Sequence, residues 1–307
     1  MNGPGVAALI TAALVTGLAA LAAGVAARPA PDATFETVIW QPDCLSAGQV
    51  RNYRPLGART LLLQWTAVED QRFLGRGADL CALDWRAAQR RSGDLRLVVG
   101  LQGAYHPRVQ DLPALARASR ALAAEWPGGT FYAPVELRPD WPAAPVRAYL
   151  QALPRPLWVS VYAARGGYTP ALVAWVARAV PADVRVLVQD GVGVGHASPE
   201  DAAAVVRALR AQRGADGAAV IVEVFRPRAG GGWRAAWPWE LAGQLRAYRD
   251  LPRVAFDGPH YMTGAWIRSL VWLRRAGLLG DAGRPARGAG GGEGGGAGRP
   301  GREMTWT

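Results

Sequence analysis

Two glutamates stand where a charge is out of place. Glu136 comes near the end of FYAPVEL (131–137) and Glu223 lies within VIVEVF (220–225), and both runs are otherwise apolar and suited to a packed interior. A carboxylate is rarely buried without a partner or a task. A facing pair of this kind serves glycoside hydrolysis: one carboxylic acid protonates the leaving oxygen, and one carboxylate attacks the anomeric carbon or activates water. The competing reading is a pair of ordinary strand-end ion pairs, Glu136 with Arg138 and Glu223 with Arg226.

Residues able to bind a sugar accompany the glutamates. Trp40, Trp65, Tyr105, Tyr162, Trp239 and Tyr261 offer flat apolar rings to C–H faces, and Gln64, Gln102 and Gln189 offer amides to hydroxyls. With 13 tryptophans in the chain, some must serve packing instead, Trp85, Trp158 and Trp175 among them. In QDGVGVG (189–195) the alternate glycines look like a phosphate loop, but no Lys-Ser/Thr ending follows. A tight turn that presents Asp190 is the better reading, and Asp190 then holds a substrate hydroxyl or tunes a glutamate by like-charge repulsion. Metal-dependent hydrolysis through His106, His260 and Asp190 or Asp257 is a third chemistry, weakened by the lack of a His-x-His pair. No metal or cofactor is expected.

The elements that must position these residues follow from the alternation of short apolar runs with amphipathic Ala/Leu/Arg stretches, the pattern of a parallel α/β fold. Strands are expected over 34–40, 60–65, 95–101, 130–136, 157–163, 184–190, 218–225 and 253–258. Helices are expected over 45–56, 83–92, 111–126, 142–152, 169–179, 199–213, 237–249 and 263–276. The sixth helix opens with Ser198 as cap, Pro199 in the first turn, and Glu200 and Asp201 at the positive helix end. Eight such units predict a single-domain (β/α)8 TIM barrel over 34–279, with chemistry at the carboxyl ends of the strands. The rival, an open doubly wound sheet, would need a Gly-rich phosphate turn after its first strand to bind a nucleotide, and WQPDC is not one.

The rest of the chain bears on location. Residues 6–27 are apolar, uncharged and rich in small residues, which marks 1–27 as a signal peptide or membrane anchor, with Val25 and Ala27 fitting a cleavage site. Export to the periplasm or beyond is expected, with attachment to the inner membrane if the segment stays. An oxidising compartment allows a disulfide between the two cysteines, Cys44 and Cys81. Residues 280–307 are Gly-rich and apolar-poor and read as a disordered tail. The net charge of +11 comes from 35 scattered arginines and no lysine, without a basic aromatic platform, so a nucleic-acid partner is not expected. A monomer with a carbohydrate partner is.

Taken in order, LLLQWT, FYAPVEL, VSVYA, VLVQDGVGVG and VIVEVF resemble a family of exported bacterial barrel proteins catalogued as a domain of unknown function and grouped with the glycosidases. The resemblance spans roughly residues 34–262. It implies an acid/base glutamate at the end of the fourth strand, matched by Glu136, and a nucleophile at the end of the seventh, matched by Glu223. The alternative is a non-catalytic glycan-binding barrel that serves exopolysaccharide or cell-envelope assembly. Where the wider retaining-glycosidase clan commonly has Asn directly before the acid/base, this chain has Val135.

Overall fold

The computed structural model describes residues 33–74 and 83–279. The expected export segment, Cys81 and the Gly-rich tail lie outside them. Eight parallel strands close into one barrel: β1 (Thr37–Trp40), β2 (Thr60–Leu63), β3 (Arg96–Gly100), β4 (Phe131–Leu137), β5 (Leu157–Val161), β6 (Val184–Gln189), β7 (Ala218–Glu223) and β8 (Arg253–Phe256). Each pairs with its sequence neighbours, and β8 pairs with β1 to complete the ring. The expected TIM barrel is present.

The period-two alternation of the strands sorts their side chains into two layers. Ile39, Leu62, Val98, Tyr132, Trp158, Leu187, Ile221, Val254 and Phe256 form an interior cluster. Their neighbours, among them Val38, Leu61, Val99, Ala133, Val159, Val186 and Val222, pack outward under the helices. Arg185, one inward step before Leu187, stacks over Trp158 with 4.5 Å to the ring centroid and forms an ion pair with Glu36. That arrangement plugs the amino-terminal end of the barrel. Two residues after each interior hydrophobe the chain reaches the mouth, and there the same alternation delivers Gln64, Ser160, Gln189 and Glu223.

Helices α1 (Trp85–Ser92), α2 (Leu112–Ala123), α3 (Ala143–Gln151), α4 (Pro170–Ala179), α5 (Pro199–Arg213), α6 (Ala242–Ala247), the single turn α7 (Gly258–Tyr261) and α8 (Gly264–Arg275) surround the strands. Ser198 caps α5 as expected, accepting from the amide of Asp201 at 3.1 Å. The helix expected over 45–56 is not formed; two 3-10 turns, Ser46–Gln49 and Arg54–Leu56, take its place. Local bonds compete with a helix there: Asp43 Oδ1 accepts from the amides of Leu45 and Ser46, Asn52 Oδ1 accepts from the amide of Arg54, and Pro55 has no N–H to give. Pro238 likewise opens a 3-10 turn, Pro238–Leu241, before α6 begins. Two additions at the mouth end were not legible as strands: a hairpin of Phe225–Pro227 with Trp233–Ala235, and a small sheet of Ala67–Val68, Gln71–Arg72 and Gln102–Gly103.

Gly100 is the tightest point of the ring. A Cβ there would lie 2.2 Å from the carbonyl oxygen of Gln64 and 2.3 Å from that of Leu63. Neither can yield, because both are backbone atoms, one at the end of β2 and one just past it. Gly100→Ala is expected to lower stability by ~1–3 kcal/mol or more, through overpacking against backbone, read as a drop in the urea midpoint with the slope unchanged.

Candidate active site

Glu136 owes its position to an irregular strand. In β4, Ala133 pairs with Val159 of β5 and Leu137 pairs with Val161, so Pro134, Val135 and Glu136 stand opposite Ser160 alone. Proline supplies no amide to the ladder, and a bulge of this kind re-aims the side chains within it. Val135 turns outward and is fully buried under the helices, as part of the packing. Glu136 turns to the mouth and keeps some solvent exposure. Its carboxylate has no hydrogen bond or ion pair among the described residues, and Arg138 pairs instead with Asp140, at 3.2 and 2.9 Å. Burial pushes the Glu136 carboxyl up to about 7, and the positive charge of Arg138 restrains the rise.

Glu223 ends β7 and is 0 % exposed. Gln189 Nε2 donates to its Oε1 at 2.8 Å and the amide of Val194 donates to its Oε2 at 3.1 Å. Burial raises its pKa to about 8, with the negative charge of Asp190 adding to the rise. Arg226 does not neutralise it. The Arg226 guanidinium donates to the carbonyls of Glu223, Phe225 and Glu240 and to Gln244 Oε1. The glutamate–arginine pairs of the competing reading are therefore absent at both positions among the described residues.

Asp190 lies beneath Glu223 rather than in the open mouth. Its Oδ2 accepts from Gln244 Nε2 at 2.7 Å and Tyr248 Oη at 3.1 Å, and its Oδ1 accepts from the amides of Val192 at 3.2 Å and Glu223 at 3.3 Å. With both oxygens occupied and no exposure, it has nothing to offer a substrate hydroxyl. The tuning role remains. Four donors converge on Asp190 and two on Glu223, so a single charge shared by this pair resides on Asp190 and the proton on Glu223.

The expected sugar-binding residues divide into groups. Tyr162 stands close enough to both glutamates for their charges to raise its pKa, and its hydroxyl meets His196 Nδ1. Gln189 is bound to Glu223, and Gln64 lies in the mouth layer with an Oε1 that accepts no hydrogen bond. Tyr261 packs on Phe225 with ring centroids 5.4 Å apart, beside Trp233. Trp40 does not reach the mouth: it is fully buried in the outer layer with its indole N–H on Ser46 Oγ at 2.8 Å. Trp65 is also buried, donating to the carbonyl of Pro42 at 3.2 Å and meeting Tyr105 edge-on. Gln102 lines a separate cavity of about 540 Å³ with Glu69, His106, Arg108 and Asp111. Trp239 is 62 % exposed and lies parallel to Trp237, itself 54 % exposed, with centroids 5.2 Å apart.

The proposed metal ligands do not converge. Among the described residues no group of three His, Cys, Asp or Glu side chains is arranged to hold an ion. His260 instead bridges Asp257 Oδ2 through Nδ1 and Asp43 Oδ2 through Nε2, both at 2.6 Å. Burial alone would pull this imidazole down, but the two carboxylates outweigh it and push it up to about 9. Cys44, beside Asp43, is disulfide-bonded. Sequence reading passed over Gln244, Tyr248, Tyr168, Asp43 and His196. Only His196 carried a signal, as one of three histidines in the chain and the residue that follows the glycine turn.

No protein-family model matches this chain, and no curated protein matches it. Among solved structures it is similar to the crystal structure of the Bacillus cereus spore cortex-lytic enzyme SleL, with a TM-score of 0.40 and 10% sequence identity, over 80% of this chain and 69% of that one.

The two raised carboxyls make stability depend on pH. Each holds its proton more tightly folded than unfolded, so their contribution is complete below the ordinary 4.5 and is lost as pH rises through about 7 for Glu136 and about 8 for Glu223. The denaturation midpoint of the wild type is expected to fall between pH 5 and 8, and Glu223→Gln to flatten that slope. An unchanged slope in the variant would show that Glu223 is not the proton holder.

Proposed function

We propose that the protein is an exported glycoside hydrolase acting on a polysaccharide in the periplasm or outside the cell, with Glu136 as general acid/base and Glu223 as nucleophile. The observation that carries this reading is the pair itself: two carboxyls at the ends of β4 and β7, neither neutralised by an arginine, with Tyr162 close to both. An acid that must be protonated before reaction needs a raised pKa, and Glu136 at about 7 meets that need. In the first step Glu136 gives its proton to the glycosidic oxygen as the C1–O bond breaks, and the Glu223 carboxylate bonds to C1. In the second, Glu136 takes a proton from water, the water oxygen bonds to C1, and Glu223 leaves as carboxylate.

Several features suit a glycan. Gln64 and Gln189 bring amides to the mouth, Tyr162 and Tyr261 bring rings, and the parallel Trp237 and Trp239 present a flat apolar surface at the rim between β7 and α6. The mouth itself would hold the reacting sugar, and the rim would take a more distant unit of the chain.

A second reading is a glycan-binding barrel that does not cleave, serving exopolysaccharide or envelope assembly. The complete burial of Glu223 and the apolar Val135 favour it. Both readings are separated by assaying the purified protein against a panel of polysaccharides for new reducing ends. Under the hydrolase reading Glu136→Gln and Glu223→Gln each lose about a hundred- to ten-thousand-fold in kcat/KM, and NMR shows the anomeric configuration retained in the first product. Binding without cleavage, unaffected by Glu136→Gln, would establish the second reading instead.

A further inference from the structure

Glu223 raises a difficulty that its neighbours resolve. It stands at the mouth end of a barrel strand, where substrate must arrive, yet it has no exposed surface. What covers it is the turn that follows β6. Gly193 lies directly on the carboxylate: a Cβ at that position would be 2.8 Å from Glu223 Cβ, 2.9 Å from its Oε2 and 2.8 Å from the carbonyl oxygen of Phe225. The next residue, Val194, gives its amide to Oε2.

The turn is built as a unit. The amide of His196 donates to the carbonyl of Gly191 at 2.7 Å and that of Gly195 to the carbonyl of Val192 at 3.2 Å. Gly191 and Gly195 have φ of 65° and 72°, the left-handed region that glycine enters without strain. The alternate glycines of QDGVGVG thus have separate reasons: the outer two bend the chain, and the middle one lets backbone approach Glu223.

At its base the Val192 amide donates to Asp190 Oδ1 at 3.2 Å; beyond that, few contacts hold the turn down, and each is made by a mouth residue. Besides the Val194 amide, the Val194 side chain rests partly buried in the cluster with Phe225, Trp233 and Tyr261, and His196 meets the Tyr162 hydroxyl. Arg165 lies outside the turn, with Nη2 3.8 Å from where a Gly195 Cβ would stand. A sugar can replace these contacts in kind: a hydroxyl donates to Oε2 where Val194 did, and the freed rings receive a C–H face.

We propose that residues 191–196 form a lid closed over Glu223 and latched by Tyr162 and His196, which polysaccharide must lift to reach the nucleophile. The proposal rests on the hydrolase reading for its purpose, but not for its geometry. It also accounts for the protonation of the pair. In the closed site Glu136 at about 7 and Glu223 at about 8 make the productive form, with Glu136 protonated and Glu223 ionised, the minority one. Lifting the turn returns solvent to Glu223 and favours its ionisation.

Carboxyl labelling of the full chain with a water-soluble carbodiimide and glycinamide at pH 6, read by peptide mass spectrometry, tests the lid without any glycan. In the wild type Glu223 is expected to label at least tenfold more slowly than the exposed Glu200. Tyr162→Phe, which removes the latch hydroxyl, is expected to raise labelling at Glu223 three- to tenfold while Asp190, held beneath by Gln244, Tyr248 and the amide of Glu223 outside the turn, stays protected. Amide exchange at Val194 in the unmodified protein gives a second reading, slow if the lid is closed. The proposal is overturned if wild-type Glu223 labels as fast as Glu200, if Val194 exchanges at the rate of an open loop, or if Tyr162→Phe exposes Asp190 together with Glu223. A working lid on a protein that cleaves no polysaccharide would sink the hydrolase reading alone, and active enzyme with an open Glu223 would sink the lid alone.

Discussion

The mouth of this barrel is organised around two buried carboxyls whose burial and mutual repulsion disfavour a charge on both while the site is closed. Asp190 directly follows β6 and Glu223 ends the adjacent β7, and neither has any exposed surface. Taking one carboxylate out of water is costly, and a second beside it adds repulsion, so the surrounding residues divide into those that hold the charge and those that hold the proton. Gln244 and Tyr248 reach from α6 and its end to fix the charge on Asp190. Gln189 and the Val194 amide fix the orientation of Glu223. The glycine turn covers it, and Tyr168, donating to the carbonyl of Gln189 at 2.7 Å, props the strand end from which the turn departs.

Across the mouth the constraint is a different one. Glu136 has no donors to orient it, and its place follows from the backbone alone, where Pro134 breaks the β4–β5 ladder and the extra residues swing the side chain inward. Its raised pKa is a consequence of lost solvent rather than of a neighbouring negative charge. One fold thus holds two glutamates by opposite means, one hydrogen-bonded and sealed, the other unbonded and partly wet. This asymmetry comes from strand geometry on one side and a polar network on the other.

Closing the ring needs its own fastening, because β1 and β8 meet without chain continuity. Asp257 at the end of β8, His260 in α7 and Asp43 after β1 span that seam, and the amide of Gln41 donates to Asp257 as well. With both ring nitrogens engaged by carboxylates, His260 is charged at neutral pH and has no lone pair for a metal. Those two bonds make this histidine near the barrel mouth a strut.

Much of this was readable from residue order. Period-two alternation of Val, Leu and Ile set the strands, their number set the barrel, and counting placed Glu136 on the fourth and Glu223 on the seventh. Ser198 and Pro199 located a helix start to the residue. Alternation also says which side chains reach the mouth, and Gln64, Gln189 and Glu223 follow from it. It could not place Trp40, whose parity points outward, once the strand end was taken as the deciding feature, nor the 3-10 turns over 46–56, where side-chain bonds from Asp43 and Asn52 outcompete helix. Strand order and the identity of the two glutamates belong to the sequence, because they depend on local pattern and count. That Asp190 serves Glu223 rather than substrate, that Gly193 lies on the carboxylate, and that His260 closes the seam were decided by tertiary structure, because each depends on groups more than thirty residues apart, or on a backbone approach, that no local pattern encodes.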